Sequence, residues 1–436
     1  MLHKKSETFI GISLRKGVKP HNVTVVYILA TIVMILAALP SVILPLFLQE
    51  EIGISKGNQG VINTSIAIVN EIMGMICVGF VGLLSDKFGR KRLVSYGFLF
   101  AGIFFALLGL SGKAGNLFGL GGLPTVFIAR WLLGIALLFI WPLIQAILTD
   151  YTYPEGRGKI MAIMGFAFTF GSMLAFALFS KLPALIGVIN VFLLAGIISL
   201  IFSTVTSFGV VDVMGEKERK KVEWKRIIPV LKESSGLKLT YASAFAARAD
   251  VIILGMFVMI WVTKVAADFG KTPSQAVAEG GMVIGISSAV GLLSYALWGY
   301  MAEKLGRLPT LAFGLFSSGV AYMLIGLIDN PFSKPFLICT LLCALGIHSE
   351  GVGAMTLTSD LSPRELVGSI LGAYNSFGAV GVIVFLELGG FLFDYVSNTL
   401  PFVLTGAADF FVFLYAVMRW KKIRTEEMRA RGLLVE

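Results

Sequence analysis

Eight ionisable side chains interrupt long apolar stretches of this 436-residue sequence, and they are the first candidates for chemistry. They are Glu71, Arg130, Arg248, Asp250, His348, Glu350, Glu387 and Asp409. A charge in apolar surroundings is costly, so each of these residues is a hypothesis of function by default. An acid or a histidine there can carry a proton, and an arginine can hold an anionic group.

Four of these residues are the candidates for uptake and release of a proton: Glu71, Asp250, Glu350 and His348. Burial favours the neutral form of a carboxylic acid, which can then load and unload a proton near neutral pH. A lone histidine on a helix is more often a satisfied polar contact, although it titrates in a useful range. An ion pair or a hydrogen-bonded acid between helices is the alternative for Glu71.

A second set of side chains is suited to holding a ligand. The spacing of Arg130, Gly134, Trp141 and Gln145 predicts one loose helical stripe that offers a cation, an aromatic plate and an amide. The alternative is a buried arginine paired to backbone carbonyls beside a packed tryptophan, and the sequence leaves both open. The complete set of ligand-binding candidates is Arg130, Trp141, Gln145, Phe245, Arg248 and Asn375.

Two pairs of neighbouring candidates point in opposite directions. Residues two apart on a helix face opposite sides, so Arg248 and Asp250 cannot face the same spot. One of them is expected to face a ligand and the other a contact between helices. His348 and Glu350 pose the same choice, which the sequence does not resolve.

The elements that position these residues follow from composition. Hydrophobic residues make up 56% of the chain, charged residues only 14%, and the mean hydropathy is +0.86. Soluble domains carry about 25% charged residues, so a water-soluble fold, disorder and a disulfide scaffold are all excluded. Cys339 and Cys343 are spaced one helical turn apart and lie near His348, but packing is the favoured interpretation. No metal site and no cofactor are predicted.

Twelve apolar stretches of about 20 residues each match the length of a membrane-spanning helix. They lack the alternation of barrel strands, so we predict an all-α membrane protein with twelve transmembrane helices. The fourth stretch is expected as one helix over 124–148, and the seventh as one helix over 239–263. The predicted domains are an N-tail (1–22), a six-helix bundle (23–209), a connector (210–238), a second six-helix bundle (239–418) and a C-tail (419–436).

The basic residues orient this arrangement. Most of the 36 lysine and arginine residues fall on one side if both ends of the chain lie there. Positive charge marks the cytoplasmic side, so both termini are predicted to be cytoplasmic. The net charge of +10 then reflects topology and contact with the lipid bilayer, and no nucleic-acid partner is predicted.

An internal repeat divides the chain into two halves. The segment Gly82–Arg90 recurs as Gly299–Arg307. A second segment, 150–158, recurs as 360–368 with the same aspartate, glutamate and glycine at the same spacing. Two independent matches at nearly equal sequence offsets predict two pseudo-symmetric six-helix bundles.

The repeat also shows which candidates the fold does not require. Glu71 aligns with Ser288, whereas His348 and Glu350 align with Leu138 and Ile140. A residue that the other half lacks is more readily explained by chemistry than by packing. Glu71 is therefore the leading candidate for the proton carrier.

The segment 82–92, GLLSDKFGRKR, resembles the loop signature of the major facilitator superfamily, and its degenerate copy lies where that family carries a second one. Arg130 and Gly134 resemble the family's Arg-x-x-x-Gly pattern, and residues 44–62 resemble the drug–proton antiporter branch. The resemblance implies the major facilitator fold, a central cavity lined by the first, fourth, seventh and tenth helices, and a monomer. It places Asp409 on a peripheral helix, so Asp409 and Glu387 are assigned structural roles.

Arg90 can pair with an acid at a helix end, such as Asp150. The resemblance also implies that this cluster of loop residues latches the outward-open state, with Asp86 against the eleventh helix. A topology anchor with a tight turn is the alternative. The latch residues are Gly82, Asp86, Gly89, Arg90, Asp150, Gly299, Glu303, Gly306 and Arg307.

The function expected from these features is secondary active transport of a small solute, coupled to protons, in the inner (plasma) membrane. Intramembrane acids outnumber arginines, which favours export of amphiphilic or drug-like compounds. The fifth helix lacks the Gly-Pro signature of the family's antiporters, which favours uptake of an organic anion instead, by symport or uniport. A lipid flippase or a receptor is a further alternative. Nucleotide-binding and hydrolase motifs are missing, so no enzyme is predicted.

Overall fold

The computed structural model describes residues 7–213 and 224–433, apart from the side chains of residues 78, 79, 86, 154 and 224–226. The residues before the connector form a short hairpin, β1 (Thr8–Phe9) with β2 (Ile12–Ser13), and nine helices. The helices are α1 (Pro20–Glu50), α2 (Gln59–Phe88), α3 (Arg90–Gly109), α4 (Ser111–Leu117), α5 (Gly122–Leu138), α6 (Trp141–Tyr151), α7 (Arg157–Ala177), α8 (Leu182–Ile186) and α9 (Val188–Gly209).

Nine further helices follow in the described part of the chain. They are α10 (Trp224–Glu233), α11 (Ser235–Ala247), α12 (Asp250–Val265), α13 (Pro273–Lys304), α14 (Arg307–Ile325), α15 (Lys334–Leu361), α16 (Val367–Tyr395), α17 (Leu400–Met418) and α18 (Trp420–Ala430). The predicted connector thus contains α10, while its residues 214–223 lie outside the described part. The predicted C-tail contains α18.

Twelve helical segments of the described chain are long and apolar enough to cross a membrane, which confirms the predicted count and the all-α class. Large apolar side chains lie exposed along them, such as Phe208 and Leu293, with more than three-quarters of their surface accessible. A helix satisfies its own backbone hydrogen bonds, so such a surface is stable against lipid.

The chain divides into two compact units. Unit 1 comprises Met1–Ser55, Val69–Lys217 and Gly270–Gly285, and unit 2 comprises Lys56–Ile68, Glu218–Phe269 and Ile286–Glu436. The first turns of α2 thus belong to unit 2, which otherwise contains the second half of the sequence. The first turns of α13 belong to unit 1, which otherwise contains the first half. The contacts described below all lie within one unit.

Each unit contains the same close crossing of two helices. In unit 1, a Cβ added to Gly102 of α3 would lie 2.9 Å from the carbonyl oxygen of Gly196 in α9. In unit 2, a Cβ added to Gly319 of α14 would lie 3.1 Å from the carbonyl oxygen of Gly406 in α17. The two glycine pairs are related by the same sequence offsets as the two repeated segments. Only glycine permits this approach of two backbones, so the internal repeat extends into the packing of the spans.

A pair of tyrosines adds the first span of each half to the repeat. The Tyr27 hydroxyl donates to the Ile160 carbonyl oxygen at 3.0 Å, and the Tyr241 hydroxyl donates to the Ile370 carbonyl oxygen at 2.7 Å. The two acceptors have the same sequence offset as the second repeated segment, whereas the two donors lie slightly further apart. The first and seventh spans are therefore related by an offset of their own, the one that leads from Tyr27 to Tyr241.

Two spans that were predicted as continuous helices are interrupted. The fourth consists of α5 and α6, and it breaks at Phe139 and Ile140, just before Pro142, which has no N–H to continue the hydrogen-bond ladder. The seventh consists of α11 and α12 and breaks at Arg248 and Ala249. Both interruptions fall beside candidate functional residues.

Asp394 offers a test of how the first turn of α2 is held in unit 2. Its carboxylate accepts hydrogen bonds from the backbone N–H groups of Gly60 and Val61, both at 2.8 Å. A carboxylate that caps a helix N-terminus contributes about 0.5–2 kcal/mol. We expect Asp394→Ala to lower the free energy of unfolding in detergent by that amount. Glu387→Ala, at an exposed site on the same helix, is the control and should change it little.

Candidate functional site

Unit 2 contains a cluster of three buried carboxylic acids. Asp250 begins α12, Glu350 lies in α15 and Asp409 in α17, and one carboxylate oxygen from each lies within 4.8 Å of the other two. The exposed fractions of the three residues are 0%, 3% and 0%. Three different spans thus bring acids to one point inside an apolar bundle. We call these three residues the acid cluster.

Few hydrogen bonds satisfy the acid cluster. The Ser243 hydroxyl donates to Glu350 Oε1 at 3.2 Å, and the Ser318 hydroxyl lies 3.0 Å from Asp409 Oδ2. Within the described residues, both carboxylate oxygens of Asp250 and Oδ1 of Asp409 have no hydrogen-bond partner outside the cluster, where Asp250 and Asp409 contact each other. Buried polar atoms are rarely left in this state, so the cluster requires an explanation.

The structure answers the question of direction that the sequence left open. Asp250 is fully buried, whereas Arg248, two residues earlier, is exposed and donates from Nη1 to Asn375 Oδ1 at 2.7 Å. Glu350 points into the acid cluster. His348 instead lies against Tyr295 with ring centroids 4.8 Å apart, and its Nδ1 lies 2.7 Å from the Ala344 carbonyl oxygen.

Asp409 is the residue of this cluster that the sequence analysis did not assign to chemistry. Its position on the last span gave no reason to pair it with Asp250 or Glu350. The serine at the equivalent position of the first half, Ser199, is the signal that was available. An acid that replaces a small polar residue in a repeat is not required by the packing of the fold.

Unit 1 contains a second polar constellation, between α2 and α5. Arg130 donates from Nη1 to Asn70 Oδ1 at 3.1 Å, and the charge of Glu71 acts on the Arg130 guanidinium. Gly134 is required here, because a Cβ at this position would overlap the Asn70 amide. Glu71 and Arg130, which the sequence analysis selected separately, therefore lie within electrostatic reach of each other, and Asn70 is a third member that it did not select.

The other ligand-binding candidates are distributed over both units. Trp141 is 40% exposed and contacts Phe168, with ring centroids 6.4 Å apart. Gln145 lies one turn further along α6, so the break before α6 separates both residues from the helix that carries Arg130. The predicted stripe assumed one continuous helix, and it is interrupted. In unit 2, Phe245 packs against Phe377 of α16 at 5.5 Å.

The repeated loops form matching ion pairs. Arg90 is paired with Asp150 in unit 1, as predicted, and Arg307 Nε lies 3.1 Å from Asp360 Oδ2 in unit 2. The glycines that precede these arginines, Gly89 and Gly306, have φ angles of +88° and +115°, a region that favours glycine. The loop turns are thus built alike.

Carboxylates from the end of each half cap the helices that follow these turns. Asp212 Oδ1 accepts from the Lys91 N–H at 2.9 Å at the start of α3. Glu427 Oε1 of α18 accepts from the Arg307 N–H at 2.6 Å at the start of α14. Negative charge is favourable at a helix N-terminus, so both caps hold the loops in place.

The remaining latch residues belong to the same loops. Gly82 lies in α2, Gly299 and the exposed Glu303 lie in α13, and the Glu303 carbonyl oxygen accepts from Arg431 Nη2 at 2.7 Å. The side chain of Asp86 lies outside the described part, so the predicted contact of Asp86 stays a prediction. The geometry supports an ordered loop, and the latch role remains a hypothesis.

Twelve apolar spans, an internal repeat that reaches into their packing and charged groups buried inside each unit define a polytopic membrane transporter of the duplicated class. The chain belongs to the Major Facilitator Superfamily, whose family model matches residues 26–385 and, in a second match, 242–432. It is therefore a transporter of small solutes rather than an enzyme.

Similar proteins differ in what their names state. Magnetosome protein MamH of Paramagnetospirillum magneticum is 32% identical over 93% of each chain. MamZ of the same organism is 30% identical, and the match covers 91% of this chain but only 62% of MamZ. Multidrug resistance protein 2 of Bacillus subtilis is 25% identical over 81% of this chain and 85% of that protein.

A further relative and a solved structure are similar over most of the chain. A cis,cis-muconate transport protein of Acinetobacter baylyi is 26% identical over 78% of this chain and 80% of that protein. The crystal structure of a peptide transporter, POT, superposes with a TM-score of 0.71 at 15% identity, covering 96% of this chain and 97% of that one. This last likeness shows the fold alone, and it agrees with the fold predicted from the repeated loops.

Proposed function

We propose that this chain moves a small organic solute by alternating access, coupled to protons, and that it exports amphiphilic or drug-like compounds. The observation that carries the coupling is the constellation of Asn70, Glu71 and Arg130 in unit 1. An ionised Glu71 is balanced by the Arg130 charge, and a proton on Glu71 cancels that balance. A proton and a cationic solute would each add positive charge to this constellation. They would therefore compete for Glu71, and such competition is the requirement for exchange of one for the other.

Export is supported by the character of the relatives and by charge. One relative is named a multidrug resistance protein, and it matches most of the chain. The apolar stretches carry five acids, Glu71, Asp250, Glu350, Glu387 and Asp409, against the two arginines Arg130 and Arg248. An excess of acids over arginines in the spans favours a cationic or amphiphilic solute over an anion.

Uptake of an organic anion is the second candidate. The relative named for cis,cis-muconate has nearly the same identity to this chain as the multidrug relative. Arg248 is exposed and donates one of its five N–H groups to Asn375, so its guanidinium can offer at most four donors to a carboxylate. The missing Gly-Pro signature in the fifth span points the same way.

The experiment uses purified protein in liposomes with an imposed pH gradient and a pH-sensitive dye inside. Tetraphenylphosphonium and cis,cis-muconate are added in turn, as a lipophilic cation and an organic dianion. We expect proton movement driven by the cation, and we expect Glu71→Gln to reduce it to the level of empty liposomes. Glu71→Gln retains the shape of the side chain and removes its charge.

Glu387→Gln is the matched control, since Glu387 is an exposed acid of the spans. It should retain full coupling. Full coupling in Glu71→Gln would show that Glu71 is structural. Proton movement with muconate alone would select the second candidate, and solute-independent lipid movement in both variants would favour a lipid flippase. The inner membrane, with both termini cytoplasmic, is the proposed location; an internal membrane is the second candidate because of the magnetosome relatives.

A further inference from the structure

The acid cluster of unit 2 lacks any visible compensation for its charge. Asp250, Glu350 and Asp409 are each at most 3% exposed. Among the described side chains, no lysine, arginine or histidine forms an ion pair with any of the three. Buried carboxylic acids are neutralised either by protons or by a bound metal cation, and three acids within 4.8 Å of one another can share a single cation.

The packing of the fold does not require the acid cluster, because the equivalent positions of the first half do not carry three acids. A Cβ at Gly314 would lie 2.5 Å from the Glu350 N, and a Cβ at Gly97 would lie 2.7 Å from Ile140 Cγ1. Each glycine thus accepts the equivalent residue of the neighbouring span, which is an acid in one unit and isoleucine in the other. The helix crossing in unit 1 is thus formed with isoleucine at this position, without an acid.

The unpartnered oxygens show where the missing ligand lies. Among the described residues, none outside the cluster donates a hydrogen bond to either carboxylate oxygen of Asp250 or to Oδ1 of Asp409. Asp250 is 0% exposed, and one of its oxygens lies within 4.8 Å of an oxygen from each of the other acids. A fully buried carboxylate therefore directs its oxygens towards the other acids of the cluster, and a cation bound between the acids would contact these oxygens.

The spacing of these oxygens suits a metal cation. Oxygen ligands lie about 2.0–2.6 Å from Mg²⁺, Mn²⁺ or Ca²⁺, so ligands on one ion are separated by at most about 4–5 Å. The hydroxyls of Ser243 and Ser318 already contact the cluster and add further hard oxygen donors. The donor set is therefore that of a hard divalent cation with several carboxylate ligands.

We propose that Asp250, Glu350 and Asp409 bind one divalent metal cation inside unit 2. The cation links α12, α15 and α17, which are distant in sequence, and it neutralises most of the charge of the three acids. The inference concerns binding at a site of its own, and it holds whether or not the solute and the proton coupling proposed above are correct.

Binding is tested on the full-length protein in nanodiscs, stripped with EDTA and titrated with Mn²⁺ at fixed pH. Calorimetry and the electron paramagnetic resonance signal of bound Mn²⁺ should both give one ion per chain. Loss of even an outer-sphere partner weakens metal binding by about 10–100-fold, so Asp250→Asn and Asp409→Asn should weaken it by about 100-fold or more. Glu387→Gln should bind Mn²⁺ as the wild type does.

Thermal unfolding without metal checks that each variant is folded, and the stoichiometry of the wild type needs no variant at all. The proposal is overturned if the wild type takes up no Mn²⁺ up to millimolar concentrations, because the acids then share protons only. It is equally overturned if both asparagine variants bind Mn²⁺ with unchanged affinity. Neither result affects the liposome assay of Glu71→Gln, so the two proposals fail separately.

Discussion

Replacing Arg90 with alanine is expected to lower the free energy of unfolding by about 3–5 kcal/mol, the range for breaking a buried ion pair by removing one partner. The side chains of Arg90 and Asp150 are only 8% and 5% exposed. Removing the guanidinium leaves the Asp150 carboxylate buried without its counter-charge. The measurement is denaturation of the purified protein in mixed micelles, followed by circular dichroism.

The repeat supplies the matched control for this prediction. Arg307 and Asp360 form the equivalent pair, but their side chains are 18% and 27% exposed. Water can compensate the acid that remains, so Arg307→Ala should cost less than about 2 kcal/mol. The swap Arg90→Asp with Asp150→Arg should recover part of the loss. Equal losses in the two alanine variants would mean that burial does not govern the strength of these pairs.

The parts of the fold that follow from local chemistry were accessible from the sequence. Twelve apolar stretches predict twelve spans, because a helix must be about 20 residues long to cross a bilayer. The Arg90–Asp150 pair followed from two charges at helix ends in a repeated loop. The role of Gly89 in a tight turn was also predicted, and its positive φ angle confirms why glycine is needed there.

The directions in which side chains point inside the bundles could not be predicted from the sequence as well as the spans could. A helix that is apolar on every side gives no hydrophobic stripe, so periodicity does not assign its faces. The meeting of Asp250, Glu350 and Asp409 depends on how three such helices rotate against one another. Asp409 was assigned a structural role because the resemblance places it on a peripheral helix, and nothing in its sequence position indicated that it lies beside the other two acids.

The interruptions of the fourth and seventh spans were the second feature that the sequence analysis did not predict. The predicted stripe from Arg130 to Gln145 assumed regular geometry, and the break at Phe139 and Ile140 changes its register. Pro142 marked this position in the sequence, since proline removes a backbone donor. The separate offset between the first and seventh spans was also missed, because its evidence is a pair of tyrosine hydrogen bonds rather than a run of matching letters.

The offset between the first and seventh spans suggests a pair of reciprocal substitutions, in which each unit receives the residue found at the equivalent position of the other. It relates Asp250 of the acid cluster to Leu36 of α1, and both residues are fully buried. We expect Asp250→Leu to stabilise the metal-free protein by about 1–4 kcal/mol, because well-packed apolar residues often replace buried charges with a gain. No described residue outside the acid cluster donates a hydrogen bond to the Asp250 carboxylate, so leucine would lose only the contact with Asp409.

The reverse change, Leu36→Asp, is expected to destabilise the protein by more than about 3 kcal/mol. Unit 1 has Ile140 and Ser199 at the positions equivalent to Glu350 and Asp409, so the new acid would have no partner carboxylates with which to share a cation. Leu36→Ala separates the loss of packing from the cost of the charge, and Leu36→Asp should exceed it. Both exchanges are measured in EDTA and again with Mn²⁺. Addition of Mn²⁺ should stabilise the wild type and Leu36→Asp, which both keep the acid cluster, but not Asp250→Leu. It should leave the cost of the new acid at position 36 unchanged, since a single carboxylate does not make a cation site.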